Sequence, residues 1–347
     1  MLKKDFIIRK NQVEHTRTER SVLGYVHHPF IVGLTMAFQT SDKLFFVLDY
    51  CSGGELFFHL GKTGRFTEER ARFYAAQITL ALEYIHHLGV IYRDLKPENV
   101  LLDDMGNVRL TDFGLSKESV YGPSSGASSF CGTPEYIAPE VLKRQGHGRA
   151  VDWWSLGALL FEMITGLPPF YSRNRETMFD KIMKAELTFP QFMSEESQDL
   201  LSKLLVRDPN HRLGSGDRDA MAVKEHPFFR DIDWDALIQG RCTPPWAPDK
   251  MGGSLDTSHF DEEFTSMMPA VSPDVRGAYF GSLDRAFEGF SYIDESSARA
   301  MQQAATANEN AMSAGTGAGV GGMAAGAAKA SSGGGGAAHS LGQRGKR

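Results

Sequence analysis

A carboxylate and a lysine two residues apart, followed by two more oxygen-bearing side chains, have the types and spacing that phosphoryl transfer needs. Asp94 is placed to accept a proton from an attacking hydroxyl, and Lys96 to neutralise charge on the moving phosphate. Asn99 and Asp112 offer the hard oxygen ligands that Mg²⁺ prefers. Because phosphoryl transfer depends mainly on positioning and charge neutralisation, this set predicts catalytic residues Asp94, Lys96 and Asn99 and a Mg²⁺ site at Asn99 and Asp112.

These residues lie within three short motifs in a fixed order. Residues 91–100 read Ile-Tyr-Arg-Asp-Leu-Lys-Pro-Glu-Asn-Val, and Asp-Phe-Gly at 112–114 and Ala-Pro-Glu at 138–140 follow. Each tripeptide alone is weak, but the ordered set resembles that of eukaryotic Ser/Thr protein kinases of the AGC group. The resemblance is greatest to protein kinase B and to the serum-regulated and ribosomal-protein kinases, and it covers residues 1 to about 295. Tyr92 stands where the general kinase set has His, which is usual in these relatives.

The resemblance implies an α+β, protein kinase-like bilobal fold with a mainly helical C-lobe and an extended AGC C-terminal tail. Residues 1–229 are expected to form the kinase domain, 230–298 the tail, and 299–347 a Gly/Ala-rich disordered segment. No Gly-x-Gly-x-x-Gly loop precedes the first predicted helix, and the lysine of the family's third strand would fall just before Met1. The N-lobe is therefore expected to be truncated, with the first three strands of the family missing.

Apolar patterns predict the main elements. Strands are expected at 32–38 and 44–50, and since a two-stranded sheet is marginal, the N-lobe is expected to be weak. A helix is expected at about 11–23, another from Thr67 to about 87, and a third, apolar on nearly every side, at 151–164. By resemblance, Asp152 on that third helix holds the backbone of the catalytic loop, and Arg212 pairs with Glu140.

Nucleotide binding is assigned by resemblance alone. Without it, Glu19 is a solvated helix charge and Glu55 a charge in the first turn of a helix. The family's glutamate at the position of Glu19 pairs with a lysine that holds the ATP phosphates. The residues expected at the ATP site are this glutamate, the gatekeeper, two hinge residues, a ribose contact and the pocket floor: Glu19, Leu48, Asp49, Cys51, Glu55 and Leu101.

The resemblance also implies control by phosphorylation. A dianionic phosphate on the activation segment would order that segment by pairing with nearby cations. Phe287 and Phe290 are spaced to dock into a groove beside the helix that carries Glu19. The expected phosphosites are Ser129, Ser272 and Ser291, and the cations expected to pair with the phosphate on Ser129 are Arg93, Lys117 and His15.

Substrate preference is expected to be basic. Glu55, Glu98 and Glu162 match family positions that bind arginines upstream of the acceptor, and carboxylate–guanidinium pairing suits that task. Lys96 is one feature that favours Ser and Thr over Tyr acceptors. Protein substrates with basic motifs and upstream activating kinases are the expected partners, with ATP and Mg²⁺ as cofactors.

Composition excludes several other classes. The 347 residues carry a net charge of −6, which argues against a general nucleic-acid binder. The three cysteines are far apart and lack metal-ligand spacing, which is typical of reduced intracellular thiols. No apolar run is long enough to span a bilayer. We expect a monomer in the cytoplasm, with the nucleus as a second location.

Two explanations of the missing nucleotide-clamping segment stay open. One is a partial sequence or a wrongly chosen start codon of an ordinary kinase, and the other is a truncated pseudokinase that acts as a scaffold or decoy. The intact Asp94, Lys96, Asn99 and Asp112 favour the first explanation. Since losing an electrostatic clamp removes transition-state stabilisation, the chain as given is expected to have little activity.

Overall fold

The computed structural model describes residues 1–118, 120, 132–248, 257–260, 262–267 and 285–315. The chain divides into two units, Met1–Ser297 and Ala298–Arg347. The described part of the second unit is helical. Nothing among the described helices combines the length and the apolar character that crossing a bilayer requires.

The described strands and helices are numbered here in chain order. Strands β1 to β7 span Leu2–Lys3, Leu34–Gln39, Lys43–Leu48, Gly54–Glu55, Val100–Leu102, Val108–Leu110 and Tyr292–Ile293. Helices α1 to α12 span Lys4–Arg9, Val13–Leu23, Leu56–Thr63, Glu68–His87, Pro139–Leu142, Ala150–Thr165, Arg175–Lys184, Glu195–Leu204, Ala220–Lys224, Trp234–Ile238, Glu262–Thr265 and Glu295–Gly315.

The N-terminal sheet has four strands in the order β1-β3-β2-β7. Both predicted strands exist, as β2 and β3, and their antiparallel register sets Phe38 opposite Phe45. These two strands form most of the sheet, as expected, and two very short strands that were not predicted extend it at both edges. Leu2 pairs with Leu44 on one side, and Tyr292 pairs with Ala37 on the other. Strands of two residues are too short to show a periodic pattern in the sequence.

The C-lobe is organised around α6. Nearly all its residues are buried, including Trp153, as its all-round apolar pattern predicts. Gly166 ends the helix with φ +92°, a conformation that favours glycine. Helix α4 packs against α6 and begins where predicted, with the Thr67 hydroxyl accepting a hydrogen bond of 3.3 Å from the Arg70 amide.

A second sheet, in the order β4-β5-β6, lies next to the loop that contains Asp94, Lys96 and Asn99. Asn99 immediately precedes β5, and Asp112 follows β6 after a single residue. Val100 pairs with Leu110 across the two strands. The Thr111 amide donates a hydrogen bond of 3.1 Å to the Asn99 carbonyl, an ordinary length for such a bond. The hairpin therefore brings the two predicted Mg²⁺ ligands to one end of the sheet.

The predicted Glu140–Arg212 pair is present and fully buried. Its two parallel bonds join Nη1 to Oε1 at 2.7 Å and Nη2 to Oε2 at 2.8 Å. The same guanidinium donates to the Ala150 carbonyl at 2.7 Å. The pair therefore ties α5, which follows the activation segment, to the start of α6.

We predict that Glu140→Gln lowers the free energy of unfolding by about 3–5 kcal/mol, because it leaves the Arg212 charge buried without its partner. Urea denaturation measures this change. The matched control is Asp180→Asn, which removes an exposed pair with Lys184 at 3.4 Å and is expected to cost less than about 1 kcal/mol. Equal effects of the two substitutions would contradict the assignment of Glu140–Arg212 as a structural anchor.

Candidate active site

Asp94 lies at the centre of a small polar network. Its Oδ2 atom accepts hydrogen bonds from Lys96 Nζ and Asn99 Nδ2, both at 2.8 Å. Its Oδ1 atom accepts from the Thr133 hydroxyl at 3.2 Å, and Lys96 Nζ also lies 3.1 Å from that hydroxyl. The structure thus brings the three predicted catalytic residues together around one buried carboxylate. Sequence reasoning missed Thr133, which lies far along the chain and carries no motif of its own.

The donor set around Asn99 fits a magnesium ion. The Asn99 amide nitrogen donates to the Asp94 carbonyl and carboxylate, both at 2.8 Å, which directs its amide oxygen the other way. Asp112 uses Oδ1 to accept from the Gly114 amide at 3.2 Å. Amide and carboxylate oxygens suit Mg²⁺, which usually takes only one or two carboxylates from protein beside substrate phosphates. This explains why the described residues show no cluster of three or more His, Cys, Asp or Glu side chains at a candidate metal site.

Backbone strain marks both halves of the site. Arg93 and Asp112 have φ values of +69° and +55°, in the left-handed region that most side chains avoid. Tyr92 braces this arrangement, since its buried hydroxyl donates to the Thr111 carbonyl and its ring packs on Phe113 at a centroid distance of 5.0 Å. Such conformations persist only where surrounding contacts over-determine them.

Asp152 on α6 supplies those contacts for the catalytic loop. Its carboxylate accepts from the Tyr92 amide at 2.9 Å and from the Arg93 amide at 2.8 Å, as the resemblance implies. It also accepts from His86 Nε2 at 2.8 Å, and the other ring nitrogen of His86 lies 3.1 Å from Asp219. Trp153 Nε1 donates to Asp219 at 2.8 Å and completes the network. His86 is therefore an ion-pair partner at the end of α4, a role that no sequence pattern indicated.

Glu19 lies half-buried on α2 and faces the Asp112 region. Burial, and to a lesser extent the negative charge of Asp112, raise the pKa of Glu19 to about 7. Within the part of the chain that the structure describes, Glu19 has no ion-pair partner. The structure thus places the predicted phosphate-clamp glutamate beside the metal ligand.

The other predicted nucleotide residues lie along the hinge and the second sheet. Leu48 is half-buried at the end of β3, and the Asp49 amide bonds the Gly33 carbonyl at 3.0 Å. Cys51 is buried, and burial raises the pKa of its thiol to about 11. On the second sheet, Glu55 of β4 pairs with Leu101 of β5.

The tail approaches this hinge. The Phe260 ring stacks on Tyr50 at a centroid distance of 6.1 Å, and His259 Nδ1 lies 3.2 Å from the Ser52 carbonyl. His259 and Phe260 of the predicted tail therefore lie beside the hinge. Residue 261 and the Phe264 side chain lie outside the described part of the chain.

The cations predicted to pair with a phosphate line the base of the activation segment. Arg93 donates through Nε to the Leu115 carbonyl at 2.6 Å, and Lys117 pairs with Ile91 through backbone bonds of 2.9 Å. His15 Nδ1 lies 2.6 Å from Gln12 Oε1. Ser129 and Ser272 lie outside the described residues, whereas Ser291 is exposed at the start of β7.

Two of the three predicted substrate glutamates lie close together. The pKa of Glu162 is raised to about 7, mainly by burial and also by the negative charges of Glu98 and Glu135. A hydrogen bond from the Tyr136 hydroxyl lowers this pKa but does not outweigh burial. Glu98 Oε2 is buried and has no hydrogen-bond partner among the described residues. A buried carboxylate oxygen is costly without a partner, and a cationic ligand is one group that could provide it. Tyr136 and Glu135 were not predicted as members of this acidic group.

The two lobes and the site between them define a protein kinase. The protein kinase domain family matches residues 1–229, and the protein kinase C terminal domain family matches residues 253–292. The chain therefore belongs to the protein kinase family, in its AGC group of Ser/Thr kinases.

Several curated relatives are about half identical to this chain. The RAC family serine/threonine-protein kinase homolog of Dictyostelium discoideum is 51% identical over 296 residues, covering 85% of this chain and 66% of that protein. The rat RAC-beta serine/threonine-protein kinase is 48% identical, covering 82% and 59%. Human serine/threonine-protein kinase Sgk2 is 51% identical, covering 85% and 81%. The chain thus spans less than two thirds of the length of several relatives it matches.

We predict that the stabilisation provided by His86 depends on pH. Burial lowers the pKa of His86, but its hydrogen bonds to Asp152 and Asp219 outweigh burial and raise the pKa from 6.5 to about 9. A raised folded-state pKa gives stabilisation that is full below pH 6.5 and is lost as pH rises through about 9. The difference in unfolding free energy between wild type and His86→Gln should therefore shrink by about 3 kcal/mol across this window.

Urea denaturation at several pH values measures this difference. His87→Gln is the matched control, since the neighbouring His87 is exposed and its Nδ1 lies 2.7 Å from the Glu83 carbonyl. A His86→Gln difference that stays constant with pH would contradict a charged His86 between the two carboxylates.

Proposed function

We propose that the protein transfers the γ-phosphate of ATP to Ser or Thr hydroxyls of protein substrates. The observation that carries the proposal is the network in which Asp94 accepts hydrogen bonds from Lys96, Asn99 and Thr133. In a protein kinase, this is a base held beside a cation and a metal ligand. Such positioning and charge neutralisation are what phosphoryl transfer requires.

Each side chain has a distinct task in this proposal. Asp94 accepts the proton of the acceptor hydroxyl, and its bonds to Lys96 and Asn99 fix the carboxylate orientation. Lys96 neutralises charge that develops on the transferred group. Asn99 and Asp112 would hold the Mg²⁺, and Mg²⁺–ATP supplies the electrophilic phosphate when bound. Thr133 lies within the activation segment, residues 112–140, and its hydrogen bond to Asp94 couples the order of that segment to the position of the base.

We assign substrates with upstream arginines to the acidic group of Glu98 and Glu162. A guanidinium placed there would compensate both the orphaned Glu98 oxygen and the mutual repulsion of the carboxylates. Upstream kinases acting on Ser129 and Ser291 are the proposed regulators. Glu55 on β4 provides a separate contact to an arginine upstream of the acceptor in the substrate.

A non-catalytic scaffold is the second candidate function. Glu19 favours it, because this half-buried carboxylate has no cationic partner among the described residues, while the family's glutamate pairs with a lysine that binds the nucleotide phosphates. A chain without that clamp would retain the folded C-lobe and the tail as binding surfaces.

We predict that Asp94→Asn lowers the rate of phosphate transfer to an arginine-containing peptide at least about a hundredfold, because it removes the group proposed to accept the proton of the acceptor hydroxyl. Radiolabelled transfer at matched concentrations measures the rate. The exposed Asp180→Asn should leave the rate unchanged. No transfer by the wild-type chain, with normal peptide binding, would favour the scaffold.

We predict that an arginine-containing peptide binds more tightly as pH rises from about 6 to about 8, by roughly five- to tenfold, because Glu162 must lose its proton to pair with arginine. Fluorescence anisotropy measures this affinity without requiring turnover. Glu162→Gln should weaken binding and flatten the pH dependence, whereas Glu176→Gln, at an exposed position on α7, should change neither. An unchanged pH profile in Glu162→Gln would remove Glu162 from the substrate site.

A further inference from the structure

His147, in the loop between α5 and α6, is a buried histidine that the proposed chemistry does not use. It is 2% exposed. Its Nδ1 and Nε2 atoms are both closed to solvent, and neither has a hydrogen-bond partner among the described residues. A neutral imidazole offers one donor and one acceptor, and buried polar groups without partners are uncommon and costly. The surroundings of this ring therefore require an explanation.

His147 lines a cavity at which the catalytic loop, residues 132–141 and α6 meet. The Thr133 hydroxyl donates to Asp94 of the catalytic loop at 3.2 Å. The Ser155 hydroxyl of α6 donates to the Tyr136 carbonyl at 3.0 Å. All four of these residues line the same cavity as His147. Opening of residues 132–141 would break these bonds and bring water to the imidazole.

The charges around His147 do not favour a proton on its ring. Burial, followed by the positive charge of Arg93, lowers the pKa of His147 below its ordinary value of 6.5. The backbone of Gln145 and the charges of Glu140 and Asp152 act in the opposite direction but do not outweigh burial. The closed ring is therefore neutral at neutral pH.

Both carboxylates that act on His147 are already engaged by other groups. Glu140 makes its two parallel bonds with Arg212. Asp152 accepts from two amides of the catalytic loop and from His86. Either carboxylate would have to give up these bonds to pair with a protonated His147, and breaking a buried pair is costly.

Two further titratable groups on the cavity wall are also engaged. Asp94 accepts from Lys96 Nζ at 2.8 Å. The Tyr136 hydroxyl donates to Glu162. Neither group bonds His147. The closed cavity therefore gives a charged imidazole neither water nor a partner among the described residues.

We propose that His147 makes the seating of residues 132–141 on the catalytic loop sensitive to acid, because its ring can take up a proton only when these residues open. A proton on the closed ring would add a second positive charge near Arg93, where the neighbouring carboxylates are already paired. In the opened state, water solvates the charged imidazole. Acid therefore favours opening. The proposal concerns the folded chain and does not rest on phosphoryl transfer.

The opened state should gain population as pH falls below 6.5, the ordinary pKa of the imidazole. Because the pKa is lower in the closed state, the stability of the closed state is full above pH 6.5 and is lost as pH falls below it. For a ring that cannot take up a proton while closed, lowering the pH from about 7.5 to about 5.5 raises the opening equilibrium by about tenfold. A smaller difference in pKa between the two states gives a smaller rise.

Hydrogen exchange of the full chain, followed by mass spectrometry, measures this opening. Peptides that cover residues 132–141 are compared at about pH 7.5 and about pH 5.5, after correction for the pH dependence of intrinsic amide exchange. The proteins compared are wild type, His147→Phe and His147→Gln. Between the two pH values, we expect the opening equilibrium of wild type to rise at least about threefold more than that of either variant. The exposed His87→Gln is the matched control and should keep the wild-type rise.

Glu162 also titrates in this range, since its pKa is about 7. It is present in all four proteins, so its contribution cancels in the comparison. Peptides of α8 should show the same pH dependence in every protein, which separates local opening from a general loss of stability. An equal rise in wild type and both His147 variants would overturn the proposal, and so would loss of the additional rise in His87→Gln.

Discussion

The buried carboxylate of Asp152 is the group on which the geometry of the site depends. It lies on α6, which is enclosed by the C-lobe, and it accepts from two consecutive amides of the catalytic loop. Burying a charge without compensation is costly, and these amides together with His86 provide the compensation. If the loop moved away from α6, the Asp152 charge would remain buried without these hydrogen bonds. The position of α6 therefore fixes the backbone of Tyr92 and Arg93, which precede Asp94.

The strained backbone of the site follows from this constraint. Arg93, whose amide Asp152 holds, and Asp112 both have positive φ. Strain of this kind persists only when the surroundings outweigh it, and those surroundings hold the loop around Asp94 and Asp112 in one conformation. Thr133 joins this loop to a distant part of the chain through its hydrogen bond to Asp94, and the carboxylates of Glu98 and Glu162 lie near each other beside it.

Sequence reasoning found the parts of the site that are local and missed those that are not. Asp94, Lys96 and Asn99 lie within one short loop, so their proximity follows from spacing alone. The helix at α6 was predictable because an element that is apolar on every side must be buried. Thr133, Asp219 and the partnership of His86 depend on long-range packing that no periodicity encodes. Strand β7 was not predicted for the same reason, since it comes from the far end of the chain and is too short to show a pattern.

The measurement that tests this account most directly is hydrogen exchange at the Tyr92 and Arg93 amides in Asp152→Asn. An amide side chain keeps the shape but removes the charge and one acceptor, so we expect these two amides to exchange at least about a hundredfold faster while amides of α8 stay protected. Asp233→Ala, which removes the cap of α10, provides a variant destabilised elsewhere for comparison. Wild-type protection at Tyr92 and Arg93 in Asp152→Asn would contradict the central role of this carboxylate.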